Sequence, residues 1–134
     1  MANAIYPKYK EGLLSSAANT SIPAGTVKAA LVDTGTYTYS AAHQFWSSVS
    51  AGLIGAAVAL TTKVVTNGLF DADDVTFTSV TGASAEAIVL FIDTGTASTS
   101  PLIAYLDTGV TGLPVTPNGG NIIITWNASG IFQL

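Results

Sequence analysis

The stretch Ala87-Ile88-Val89-Leu90-Phe91-Ile92 contains no polar side chain. A short run of this kind reads as a strand covered on both faces, because successive side chains alternate between the two sheet surfaces and none of these suits water. Residues 74–79 give the complementary pattern: Val75 and Phe77 alternate with Thr76 and Thr78, so one face is wet. Further strands are expected at residues 26–33, 58–66, 102–107, 121–126 and 131–134, where β-branched and aromatic residues recur between Gly, Pro, Asn and Asp. Asn67-Gly68 suits a hairpin that needs positive φ, and Pro117-Asn118-Gly119-Gly120 suits a tight turn before the strand at 121. Two helical pieces are expected, residues 7–18 with Pro7 in the first turn and residues 40–49 with Ser40 as N-cap. Short strands at such intervals predict an all-β fold, an antiparallel β-sandwich or jelly-roll-like barrel with a short N-terminal arm and one short helix.

A chain of 134 residues has the size of one domain. Residues 1–21, rich in Ala and Ser, read as an arm ordered by a partner, and residues 22–134 as a single β-rich domain. Deleting such an arm should weaken attachment to the partner more than it lowers the melting temperature. Charged residues make up only 9% of the chain against roughly a quarter in ordinary soluble domains. That shortage favours life inside an assembly, since an isolated protein usually needs a well-charged surface.

The same composition argues against several function classes. With no Arg, four Lys and a net charge of −4, the chain lacks the clustered cations that a nucleic-acid surface requires, so no nucleic-acid partner is expected. With no cysteine, disulfides and thiolate metal sites are excluded. The first residues lack an apolar signal core, and the longest apolar run, residues 51–60 with two glycines, is too short to span a bilayer. A soluble, unexported protein with no membrane partner is expected.

Asp-Thr-Gly occurs at Asp33, Asp93 and Asp107, each time after an apolar run. Aspartic proteases place such triplets at the ends of strands, where two carboxylates share a proton. Three copies are too many for that arrangement, and Thr36, Thr96 and Val110 follow where Ala or Ser is usual, so the triplets read as strand-ending turns. Asp71, Asp73 and Asp74 could offer oxygen ligands to Ca²⁺ but lack EF-hand spacing and read as a polar loop. The only histidine, His43, stands beside no nucleophile motif and reads as a packed or partner-facing ring. The sequons at Asn19 and Asn127 carry little meaning without a signal peptide. No catalytic residue, cofactor or metal is expected, and the reading is of a protein that is not an enzyme. The aromatic residues Tyr6, Tyr9, Tyr37, Tyr39, Phe45 and Trp46, with His43, are the expected partner-interface group, because tyrosine and tryptophan desolvate well while keeping one polar tip.

The stretches 5–14, 32–45, 65–77 and 112–120 resemble a group of small structural proteins encoded in the head-gene regions of tailed bacteriophages. That resemblance covers nearly the whole chain and contains no catalytic signature. It implies a capsid decoration, or cement, protein on the outer surface of the phage head, with the major capsid protein and copies of itself, as dimer or trimer, for partners. A tail or head-fibre component is the alternative within the structural class. A carbohydrate-binding sandwich using an exposed Trp46 or Trp126 is the alternative among binding modules.

Overall fold

The computed structural model describes residues 3–134, so the first two residues of the expected arm lie outside the described residues. The fold is all-β and sandwich-like, with antiparallel sheets and one short α-helix. Its main sheet contains β1 (Ala4–Ile5), β2 (Thr26–Val32), β3 (Leu53–Ala59), β7 (Ala87–Asp93) and β8 (Leu102–Leu106), in the spatial order β1-β8-β7-β2-β3. β7 is central, and every residue from Ala87 to Ile92 is buried, as the unbroken apolar run predicts. Burial on both faces leaves its backbone no water to bond, so β2 and β8 must satisfy it on either side.

Register decides which side chains share a face. Phe91 pairs with Lys28, Val89 with Ala30 and with Tyr105, and Ala87 with Val32, so these residues lie on one surface of the sheet. Ile88, Leu90 and Ile92 occupy the other, with Leu31, Ala29 and Val27 opposite them. Over the first surface folds the connection from β2 to β3, which stacks Trp46 on Phe91 with ring centroids 4.1 Å apart.

The remaining strands form two smaller sheets. β6 (Val75–Phe77) pairs with β9 (Ile122–Ile124), and β4 (Val64–Thr66), β5 (Leu69–Asp71) and β10 (Phe132–Gln133) make the other. Val75, Phe77, Ile122 and Ile124 turn into the core cluster that the main sheet shares, while Thr76 and Ile123 face solvent. The Asn67-Gly68 hairpin is as expected, with φ of 53° and 80°.

Three local expectations differ. The strand expected at 58–66 divides into the end of β3 and all of β4, because Thr62 takes φ of 55° and the Lys63 ammonium turns inward to the carbonyls of Ile22 and Gly25. The helix expected at 40–49 is absent. There Phe45 is extended and bridges Pro101, the Trp46 amide donates to the Ser100 carbonyl, and only short 3-10 turns follow. Sheet-like pairing and the Trp46 stack together outweigh a partial helical pattern. The helix α1 (Pro7–Leu14) begins at the expected proline but ends before residue 18, where Ser16 adopts φ of 54°. Gly12, a weak helix former, is buried where an added Cβ would stand 3.2 Å from Thr20 Cγ2, closer than an ordinary contact. Among the described residues, no helix is long and apolar enough to cross a membrane.

The segment read as an arm is packed onto this body. β1 extends the main sheet beside β8, Tyr6 and Tyr9 are buried, and Asn3 Oδ1 accepts the backbone N–H groups of Asp107 and Thr108 at 2.7 and 3.0 Å. Loss of a buried aromatic side chain typically costs about 3–5 kcal/mol. Deleting residues 1–18 is therefore expected to lower the melting temperature by more than about 10 °C in a calorimetric scan. The outward-facing substitution Ile123→Thr, checked in the same scan, should move it by no more than about 2 °C.

Candidate functional site

Four of the five tyrosines meet where the N-terminal segment, the connection after β2 and strand β8 converge. Tyr105 stands on the Trp46-covered surface of β8, and Tyr37 and Tyr39 come down onto it from the connection, with ring centroids 6.5 and 5.4 Å away. Tyr6, at the junction of β1 and α1, packs against Tyr39 at 5.2 Å. Tilted rings at these separations are the favourable geometry for aromatic pairs.

Three polar tips inside this cluster form a chain. The Tyr6 and Tyr37 hydroxyls are 2.8 Å apart, and the Tyr37 hydroxyl lies 2.9 Å from His43 Nδ1. The Tyr37 hydroxyl thus joins Tyr6 to His43, and either hydroxyl can donate in the bond between the two tyrosines. Burial, and then the hydrogen bond with Tyr37, push the Tyr6 hydroxyl far above the ordinary tyrosine range. The Tyr37 hydroxyl is also raised by burial.

Beside the cluster opens a crevice of about 420 Å³, lined by Tyr37, Tyr39, Tyr105, Glu86, Asp107 and Pro114 together with Thr34 and Thr38. Glu86 Oε1 accepts both the backbone N–H and the hydroxyl of Thr34, each at 3.0 Å, so its carboxylate is held in place. The Tyr105 hydroxyl is raised by burial and then by the charge of Asp107.

The expected interface residues thus separate. Tyr6, Tyr37, Tyr39 and His43 belong to the cluster. Tyr9 and Phe45 line a second hollow, about 270 Å³, beside α1, where the Tyr9 hydroxyl donates to the Thr20 carbonyl and burial pushes it up to about 12. Trp46 is buried on Phe91. Tyr105 and Glu86 were missed by sequence reasoning, because Tyr105 lies inside an apolar strand run and Glu86 is a lone acid before another. The one available signal was a tyrosine two residues before Asp107, at a strand end.

Other candidates are turned to structural tasks. Asp33 Oδ1 accepts the Gly35 N–H and Asp93 Oδ1 the Gly95 N–H, both at 2.8 Å, as expected of strand-ending turns. Asp93 lies opposite Thr26 and Asp33 follows Val32, so they stand at opposite ends of β2, roughly 20 Å apart at the usual strand rise. Asp33 and Asp107 share one end but are separated by two strand spacings, about 10 Å. Proton sharing needs carboxylates about 3 Å apart. Asp73 accepts the Thr61 and Thr62 hydroxyls, Asp74 accepts the Trp126 N–H, and Asp71 accepts the Ala72 N–H, so the acidic loop is directed at separate partners. The carbohydrate reading required an exposed tryptophan. Instead both are buried, Trp46 by its stack and Trp126 with its indole N–H donated to the Asp73 carbonyl.

No protein-family model and no curated protein matches the chain.

Two outcomes follow from these contacts. Tyr37→Phe is expected to cost about 1–3 kcal/mol in urea unfolding, because the fully buried Tyr6 hydroxyl loses its partner. Tyr6→Phe should cost about 1 kcal/mol, with the double variant short of additivity by about 0.5 kcal/mol or more. The hydrogen bond from Lys28, with the Gly95 N–H, holds the Asp93 carboxyl below its ordinary value of 3.8. Its contribution to stability is therefore full above that value and lost as pH falls through the lower folded-state value. Urea unfolding at pH 6 and pH 3 is expected to show a smaller acid loss for Asp93→Asn than for the unaltered chain.

Proposed function

We propose that this chain is a capsid decoration protein, which binds the outside of a tailed-phage head and ties neighbouring major capsid subunits together. The observation that carries this reading is spatial. Three of the four stretches that bear the resemblance to phage head proteins meet at the tyrosine cluster: 5–14 supplies Tyr6, 32–45 supplies Tyr37, Tyr39 and His43, and 112–120 supplies Pro114 at the crevice wall. Tyr6 and Tyr37 are buried there and hold the junction together, so the half-buried Tyr39 and His43 and the exposed Pro114 are the part of it that faces a partner.

The rest of the exterior supports a protein that works by contact. Leu14 is 91% exposed and Ile123 63%, on a chain with only 9% charged residues. The shortage of charge is the part of this that favours life within an assembly, since an isolated protein usually needs a well-charged surface. An ordinary contact of about 1,200–2,000 Å² is enough. Engaging two capsid subunits, or a second copy of this chain, makes the second contact nearly intramolecular, so modest contacts accumulate over a shell.

Quantitative mass spectrometry of separated heads and tails tests the proposal. The chain is expected in the head fraction, at a copy number near that of the major capsid protein. Recovery with tails would support the tail or fibre alternative, and absence from virions would overturn both.

A further inference from the structure

We propose that Asn67 is a self-modification site, where the Gly68 main-chain nitrogen closes on the Asn67 side chain, releases ammonia and leaves aspartate or isoaspartate at the hairpin tip that holds the C-terminal strand. The chain has two Asn-Gly pairs, Asn67-Gly68 and Asn118-Gly119, and a following glycine carries no side chain to screen its nitrogen. Ring closure needs an unengaged main-chain N–H after the asparagine and a side-chain amide that nothing holds. The two pairs differ in both.

Asn67 is exposed at the tip of the β4–β5 hairpin with φ of 53°, and Gly68 follows at 80°. Among the described residues, neither the Asn67 side-chain amide nor the Gly68 N–H has a hydrogen-bond partner. Only the carbonyls of the pair are engaged, Asn67 by Gln133 Nε2 at 2.8 Å and Gly68 by the Leu134 N–H at 2.9 Å. At the other pair, the Gly119 N–H donates to the carbonyl of the buried Val80 at 2.7 Å, and Asn118 Oδ1 accepts the Gly120 N–H at 2.9 Å. Closing the ring also requires rotation of the Asn67 main chain out of the turn. The hairpin permits it, because β4 is three residues long, exposed throughout and at the edge of its sheet, so local opening costs little.

The Gly68 nitrogen bonds to Asn67 Cγ, the Cγ–Nδ2 bond breaks, and Nδ2 departs as ammonia with the proton that Gly68 gives up. Water then opens the five-membered imide. Opening at Cγ leaves aspartate, and Asp-Gly suits the same turn. Opening at the main-chain carbonyl leaves isoaspartate, whose extra backbone carbon does not fit a two-residue turn that sets Thr66 opposite Leu69. The second product therefore withdraws the Asn67 and Gly68 carbonyls from Gln133 and Leu134 and loosens the end of β10.

The site does not draw on the decoration reading, and its test needs only the full chain. The chain is held in warm, mildly alkaline buffer beside the free peptide of residues 64–71, and samples are mapped by mass spectrometry with electron-transfer fragmentation to tell isoaspartate from aspartate. Both products are expected at position 67, forming more slowly than in the free peptide and about tenfold or more faster than at Asn118. In the isoaspartyl chain the Leu134 amide should exchange with solvent about threefold or more faster than in the unaltered chain, while the Asn67→Asp variant leaves it unchanged. Conversion at Asn118 as fast as at Asn67, aspartate without isoaspartate, or no conversion at position 67 by the time the free peptide is exhausted would overturn the site. Equal Leu134 exchange before and after isoaspartate formation would overturn its hold on the C-terminal strand.

Discussion

A strand covered on both faces must find partners for all of its backbone polar groups, and β7 finds them in β2 and β8. This constraint organises the rest of the molecule. It places β7 at the centre of the main sheet, requires a layer of side chains above and below, and leaves the margins to β1 and β3. The connection after β2 becomes one of those layers, held by the Trp46 stack on Phe91 and by the backbone bonds of residues 44–46 to residues 100–102.

The tyrosine cluster is a consequence of that layering. Tyr105 shares a sheet surface with Val89 because their strands are in register, and Tyr37 and Tyr39 reach it because the connection lies across the same surface. Tyr6 arrives from the other end of the sheet order, where β1 joins β8. Buried tyrosines need partners for their hydroxyls, and the bonds from Tyr6 to Tyr37 and from Tyr37 to His43 meet that need. Glu86 and Asp107 stand at the strand ends beside the rings.

Much of the fold was legible along the chain. The run at 87–92, the alternation at 75–78 and the Asn67-Gly68 turn each carry a local signal, because burial on a face and a positive φ are properties of adjacent residues. The errors fall where a distant contact outweighs a local one. Residues 40–49 have part of a helical pattern, yet Phe45 and Trp46 are claimed by Pro101, Ser100 and Phe91. The segment before Ser21 lacks a long strand signal, yet a two-residue strand and two buried tyrosines suffice to join it to the sheet once β8 offers an open edge.

The sequence by itself determined the class of fold, the turn chemistry at Asp33 and Asp93 and the shortage of charge, since these follow from side-chain type and near-neighbour spacing. Only the tertiary structure decided that Tyr6, Tyr37, Tyr39 and Tyr105 share one site with Glu86 and Asp107, and that both tryptophans are withdrawn from the surface. Strand register and the layering of a connection over a sheet depend on pairing between residues far apart in the chain, and alternation along a strand carries no record of which distant strand will lie opposite.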